Sequence, residues 1–350
     1  MRPFIELQQQ LVPDLLYVMK KRYAILSRIL SSDVVGRRAL ATSLSMTERV
    51  LRAETDFLKA QGLLESNASG MRITEAGRQL VEALDPLVKD LFGLSELEGR
   101  IKAYYGLEQV IIVPGDSDTS PQAKRELGRA GAHTLQRFLK PDDVVAVTGG
   151  STLAAMAGQM SAAPQLRGVQ FVPARGGLGE SLDYQANTIA SALAKQVGAG
   201  YRLLHVPDHL SEEAYNSLMQ EPNVREVVGV IRRARIVIHG IGDAIVMARR
   251  RKVDQKTIDE IRSEGALAEA LGYYFDRSGS VIHRMSTVGL RIDDLSSADK
   301  VIAVAGGSSK GEAIAAVLLF GQADVLVTDE GAARQLEYII NRDQIAERHE

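Results

Sequence analysis

Apolar positions in this chain follow two periods, and the change falls near residue 107. Before it the spacing is helical. In residues 14–31, Leu15, Val18, Met19, Tyr23, Ile25, Leu26, Ile29 and Leu30 recur at intervals that gather them on one side of a helix. A short helical piece follows Gly36, from Arg37 to Leu44. Ser45-Met-Thr-Glu48 has the Ser-x-x-Glu spacing of a capping box, in which a hydroxyl and a carboxylate satisfy the free amides of a helix start. The helix it opens runs to about Gln61, with Val50, Leu51, Phe57 and Leu58 toward a core and Thr47, Arg49, Arg52, Asp56 and Lys59 largely on other faces. Gly62–Glu65 and Met71–Thr74 read as two short strands around the polar turn Ser66–Gly70. From Thr74 to Tyr105 the pattern is helical again and broken at Pro86, which suits the first turn of a new helix. Leu84, Leu87, Leu91 and Leu94 keep near one face, so this linker is also suited to dimerisation.

Beyond Leu107, apolar runs of strand type recur at Val110–Val113, Val144–Val147, Val169–Val172, Tyr201–Val206, Ile236–His239, Val301–Val304 and Val325–Thr328. Alanine-rich helical stretches lie between them. Such alternation predicts a mainly parallel, Rossmann-like sheet covered on both faces. The expected organisation is a winged helix-turn-helix with its linker helix in residues 1–90 and an α/β ligand-binding domain in residues 91–350. In α/β sheets, ligands sit beyond the carboxyl ends of the strands, and the glycines of this chain cluster there.

Charge changes the picture of the first part. Residues 1–90 hold 13 Lys+Arg against 11 Asp+Glu, whereas the remainder holds 29 against 33. Between Lys20 and Ala60 the excess is 9 basic to 4 acidic residues. A local positive excess in a slightly acidic chain fits contact with a polyanion, although a solvated basic face is the simpler reading of charge alone. The alternative for the whole segment is a three-helix packing module with no nucleic-acid role, against which the capping box, the surface arginines and the charge excess count together. In a winged helix the capped helix enters the major groove and its first turns meet base edges. That places Ser45, Thr47, Arg49 and Arg52 as candidates for DNA contact, with Arg37, Arg38 and Arg72 as backbone contacts that position without specifying.

The second part offers an anion site. Val144-Val-Ala-Val-Thr-Gly149-Gly150-Ser151-Thr152 and Val301-Ile-Ala-Val-Ala-Gly306-Gly307-Ser308-Ser309-Lys310 share one design, a strand, two glycines and hydroxyl residues opening a helix. Free amides and a positive partial charge at a helix start favour an anion, and Lys310 adds a full charge. Arg175, in Pro173-Ala-Arg175-Gly-Gly177-Leu-Gly179, is a candidate bidentate phosphate clamp. Neither loop matches a Walker A motif, and Gly240-Ile-Gly242 lacks the third glycine of a dinucleotide fingerprint. Glu269, in an apolar stretch, either receives sugar hydroxyls or lies on a solvated helix face.

Taken together, the winged helix, Leu94–Gly106, Val110-Ile-Ile-Val-Pro-Gly115, the Val144–Thr152 loop, Pro173–Gly179, Asp183-Tyr-Gln185-Ala-Asn187 and Ala305–Gly311 resemble the SorC-type transcriptional regulators, nearly end to end. The spacing of the first ninety residues also resembles winged DeoR-type regulators. The SorC-type resemblance implies an effector domain related in fold to sugar-phosphate isomerases and deaminases. It implies a repressor of glycolytic genes, bound to double-stranded operator DNA as a homodimer or homotetramer, with fructose-1,6-bisphosphate as effector. Carried over by residue, Ser151, Thr152 and Lys310 would meet one phosphate, Arg175 with Gln185 the other, and Glu269 the sugar. Gly149, Gly150, Gly177, Gly179, Gly307, Ser308 and Ser309 would complete the binding loops. One departure is Ser151, where a threonine is expected; the hydroxyl is retained.

Composition narrows the alternatives. Hydrophobic content of 45% and charged content of 25% are ordinary for a globular chain. The absence of cysteine excludes disulfides, thiolate metal sites and cysteine nucleophiles. The six histidines show no metal spacing, and no apolar run approaches the 18 or so residues of a membrane helix. A cytoplasmic protein without catalytic residues, metal or cofactor is the expectation. The competing class is a sugar-phosphate isomerase or deaminase with an accessory N-terminal module, since fold does not fix function.

Overall fold

The apolar stripe of the first segment forms helix α1 (Pro13–Leu30), whose Ile25, Leu26 and Ile29 are fully buried. The computed structural model describes residues 11–30, 35–44, 46–67, 70–91, 93–161, 167–177, 181–208 and 210–347. It divides into two units, Met1–Glu96 and Leu97–Glu350. In the first, α2 (Arg37–Ser43) and α3 (Glu48–Ala60) follow α1 as a helix-turn-helix. Strands β1 (Leu64–Asn67) and β2 (Gly70–Ile73) pair antiparallel as the wing. Val35 bridges Met71, so the segment entering α2 extends the wing by one strand position. Leu40, Leu51, Leu58, Leu64, Met71 and Val81 close the core with the α1 stripe.

Several expectations are corrected in this unit. Helix α3 is capped by Thr47, whose hydroxyl accepts the Val50 amide at 3.3 Å, two residues after the Ser-x-x-Glu box placed the start. Ser45 itself lies outside the described residues. Val50 and Phe57 are 42% and 41% exposed, so the core face of α3 is Leu51, Thr55 and Leu58 instead. Phe57 is covered from outside by the Arg22 guanidinium, 3.6 Å from the ring centroid, and Arg22 with Lys21 pairs to Glu54. Helix α4 (Glu75–Leu91) runs through Pro86 without a break. It stops before Gly93, a left-handed residue at φ +67°, after which α5 (Leu94–Tyr105) begins. Leu94 is buried and Leu84 half-buried; the side chains of Leu87 and Leu91 lie outside the described residues.

The second unit is built on a seven-stranded parallel sheet. Its strands are β3 (Gln109–Val113), β4 (Val144–Val147), β5 (Gln170–Pro173), β6 (Gly200–Tyr201), β7 (Ile236–His239), β12 (Lys300–Val304) and β13 (Val325–Asp329), in spatial order β3-β13-β12-β7-β4-β5-β6. Six of the seven predicted strands are there at near full length. Tyr201–Val206 keeps only its first residue in the sheet, at the edge, and the rest runs on irregularly to Asp208. Val145, Val147, Phe171, Ile236, Ile238, Ile302, Val304, Val325 and Val327 pack on one face against α6 (Pro121–Phe138), α7 (Ser151–Ala157) and α8 (Ala186–Val197).

Sequence patterning did not anticipate a second sheet. Strands β8 (Gly242–Asp243), β9 (Ala268–Ala270), β10 (Tyr273–Phe275) and β11 (Val281–Arg284) pair antiparallel in the order β11-β10-β9-β8, inserted between β7 and β12. Such short strands carry too few residues for a period to register. No described helix is long and apolar enough to cross a membrane.

The two cores make separate predictions. Leu51→Ala and Phe171→Ala each remove a fully buried side chain, and each is expected to cost about 2–5 kcal/mol. In urea unfolding followed by domain-specific probes, the first should shift the N-terminal transition and the second the C-terminal one.

Candidate functional site

Spatial strand order fixes where a ligand belongs. From β4 the chain steps outward to β5 and β6, then returns to β7 on the other side of β4. The β4/β7 boundary is therefore the topological switch point, where the connecting segments diverge and leave a crevice at the carboxyl ends. A cavity of about 440 Å³ opens there, lined by Thr148–Leu153 after β4 and Gly240–Asp243 after β7. Thr148 ties the two strand ends together: its amide donates to Ile238 O at 3.0 Å and its hydroxyl accepts the Gly240 amide at 3.2 Å.

The first glycine loop faces this cavity. Gly150 has φ +125° and precedes α7, whose first residues Ser151 and Thr152 line the site. A Cβ at Gly149 would lie 2.5 Å from Tyr184 O, so only glycine lets the Leu182–Tyr184 turn close over the loop. That turn also brings Gln185 into the wall; a Cβ at Gly177 would come within 2.9 Å of its Oε1. Lys124, a residue no motif singled out, donates to Ser151 Oγ at 2.8 Å. Lys310 and Arg250 line the same cavity. Burial and the neighbouring Lys124 and Arg250 charges push the Lys310 ammonium down from its ordinary value. Three cations thus gather around one helix start.

The second glycine loop behaves differently. The amides of Gly307, Ser308 and Ser309 donate to Asp329 Oδ2 (2.8 Å), Asp116 Oδ1 (3.2 Å) and Asp118 Oδ2 (2.8 Å). The anion nest expected from the sequence is filled by the chain's own carboxylates. Gly307 and Ser308 do not line the cavity; Ser309 and Lys310 do. Gly179 lies outside the described residues.

The cavity wall also carries a closed ring of four charged side chains. Arg175 reaches Asp208 at 2.8 Å and Glu269 at 3.2 Å; Arg251 reaches Glu269 at 2.7 Å and also contacts Asp208. All four side chains are only 3–5% exposed. The free phosphate clamp expected at Arg175 is therefore a guanidinium already engaged by two carboxylates. Glu269 sits on β9, neither on a helix nor solvated, and β9 pairs with Gly242 at the end of the crevice. Burial pushes its carboxyl up, but Arg251, Arg175 and the Gly272 amide hold it below the usual carboxylate range. Its Oε1 takes the bonds from Arg175, Arg251 and the Gly272 amide (2.6 Å), and the residue lines the cavity. The turn between β9 and β10 supports this arrangement under strain. Leu271 holds φ +54°, a conformation disfavoured for a bulky residue, and Gly272 holds φ +86° with its missing Cβ replaced by the Arg175 guanidinium, 2.7–2.8 Å away.

In the N-terminal unit, Arg49 and Arg52 are exposed on the first two turns of α3, and Arg72 is exposed on the wing. Arg38 is exposed beside Glu48 at 3.6 Å, and Arg37 is half-buried. The Thr47 hydroxyl is used as the cap. Sequence reasoning missed Lys124, Asp208, Arg250 and Arg251. The basic run Arg249-Arg250-Arg251-Lys252 was a signal for two of them; Asp208 had none, because its partners lie 33 and 43 residues away. Among the described residues no group of three or more His, Asp or Glu converges as a metal site would.

Removing one member of a buried ion ring strands its partners, at a cost of roughly 3–5 kcal/mol. Arg251→Met is expected to destabilise the C-terminal unit by that order in chemical denaturation, and a loss below about 1 kcal/mol would show the ring to be hydrated.

Residues 18–88 match the family of the CggR N-terminal DNA binding domain, and residues 89–336 the sugar-binding domain family. The central glycolytic genes regulator of Priestia megaterium is 48% identical over 337 residues, covering 96% of this chain and 98% of the relative. That of Bacillus subtilis is 46% identical over 336 residues, covering 96% and 99%. A solved structure of a SorC family transcriptional regulator from Enterococcus faecalis, 38% identical, superposes with a TM-score of 0.65 over 69% of this chain and 98% of its own. The full-length sorbitol operon regulator SorC from Klebsiella pneumoniae, 19% identical, shares the fold with a TM-score of 0.67 over 86% of this chain and 93% of its own. The chain belongs to the SorC-type transcriptional regulators, in the group of the central glycolytic genes regulators.

Proposed function

We propose that this protein is a DNA-binding repressor of glycolytic genes whose operator affinity is set by fructose-1,6-bisphosphate in the switch-point cavity. The observation that carries the reading is the cavity's polarity. Lys124, Lys310, Arg250 and the start of α7 gather at one end, as a phosphate requires. At the other end, Glu269 presents an oxygen suited to sugar hydroxyls. In this reading Ser151, Thr152 and Lys310 hold one phosphate, and Arg175 with Gln185 meets the second. Arg49 and Arg52 of α3 read the major groove while Arg37, Arg38 and Arg72 contact the backbone. A homodimer or homotetramer would present paired helices to operator half-sites, and effector binding would alter operator affinity through its preference for one arrangement of subunits.

The two sites are separable by mutation. The double variant Arg49→Ala/Arg52→Ala is expected to weaken operator binding roughly 10- to 100-fold at matched salt, with sugar-phosphate affinity unchanged. Operator binding at wild-type strength in a mobility-shift titration would refute the assignment of α3. Lys310→Ala should keep apo operator binding and blunt the response to fructose-1,6-bisphosphate.

Lys310 also makes a pH prediction. Its ammonium form is disfavoured in the empty cavity and favoured beside a phosphate. Affinity is therefore highest below the lowered pKa and declines as pH rises through it, short of the ordinary 10.5. Calorimetric titrations across this range should show the decline in the wild type and a flat profile in Lys310→Gln.

A further inference from the structure

The ring of Arg175, Asp208, Arg251 and Glu269 is electrically balanced, with two positive and two negative groups. Its carboxylates are not equivalent. Glu269 lines the cavity and concentrates these bonds on Oε1. Asp208 spends both oxygens on guanidinium groups: Oδ1 on Arg175, and Oδ2 on Arg175 and Arg251. Glu269 is thus a ligand-facing acceptor, and Asp208 is a neutraliser. A hydroxyl can approach this end without disturbing the balance. A phosphate dianion cannot, because it would add two negative charges to a buried neutral group.

We propose that Asp208 is a specificity-determining residue that sets the balance between mono- and bisphosphorylated ligands. It occupies the guanidinium face that a second phosphate needs. Its displacement is a cost that falls on the second phosphate alone, while a monophosphate seated at Lys124, Lys310 and Arg250 leaves the ring intact. The backbone makes that displacement a concerted step. Gly177 N donates to Val206 O and Asp208 N to Gly177 O, each at 2.9 Å, so the loops carrying Arg175 and Asp208 are stitched together. The inference rests on the sugar-phosphate reading of the cavity and deepens it.

The test compares fructose-6-phosphate and fructose-1,6-bisphosphate by isothermal titration calorimetry on the full chain, wild type against Asp208→Asn. Neutralising one buried carboxylate beside Arg175 should raise the ratio of bisphosphate to monophosphate affinity about tenfold or more, with monophosphate affinity within about threefold of wild type. If Asp208→Asn does not fold, Asp208→Ser, smaller and likewise uncharged, frees the same guanidinium face and carries the same expectation. A ratio within twofold of wild type in the folded variant overturns the role of Asp208 while leaving the effector reading intact. Failure of the wild type to bind either sugar phosphate overturns the effector reading and this inference with it.

Discussion

Buried charge is the constraint on which the C-terminal unit is organised. Two guanidinium groups and two carboxylates line one wall almost out of contact with water, and in such surroundings each is tolerable only with the others in place. Their positions come from four separate pieces of chain: the ends of β5 and β6, the end of the helix Ala244–Arg250, and β9. The ring therefore pins the inserted antiparallel sheet against the parallel one at the site where a ligand is to sit. The strained Leu271-Gly272 turn belongs to the same constraint, since a side chain at Gly272 would take the space of the Arg175 guanidinium. Buried polar groups tied in this way favour one arrangement over its competitors, even where they add little net stability.

Two loops of one design have opposite fates, and the reason is local. The amides after β12 meet Asp116, Asp118 and Asp329, which reach them from the ends of two other strands, β3 and β13. The loop after β4 lies between β7 and β5; Arg175 follows β5, and the carboxylate after β7, Asp243, accepts the Val246 amide at 2.8 Å at the start of its own helix. A helix start is a site for whatever anion is nearest. At β12 that anion is covalently part of the chain.

Much of this architecture is legible in the sequence, and the failures have physical causes. Long apolar runs such as Val144–Val147 and Val325–Thr328 announce buried parallel strands because both of their faces are covered. The winged helix is legible through the α1 stripe and the turn at Ser66–Gly70. The cap of α3 moved to Thr47 because Thr47 and Ser45 are both competent hydroxyls, and spacing alone cannot choose between them. Pro86 proved compatible with a continuous α4. The site was half legible. Ser151, Thr152 and Lys310 follow from glycine and hydroxyl patterns, which are local, and Gln185 only from the family resemblance. Asp208, Arg251 and Lys124 act through partners distant in sequence, which only the fold brings together.

The cavity's two ends therefore make different demands on a ligand. At the α7 end, burial and the neighbouring Lys124 and Arg250 charges disfavour the Lys310 ammonium against the pull of Asp118 and Asp329, and an added anion would favour it. At the Arg175 end both carboxylates are already paired, so an anion must rearrange what it meets, although the buried Nε donors of Arg175 and Arg251 have no partner. A ligand changes an equilibrium only through unequal affinity for two states. Occupying the α7 end fits the structure as it stands and does little to move it. The Arg175 end is where occupied and empty states must differ, and the difference falls on loops joined by the Gly177–Val206 and Asp208–Gly177 backbone bonds. On the sugar-phosphate reading, affinity and response would fall to different parts of one cavity, the first to a buried lysine and the second to an arginine already paired with two carboxylates.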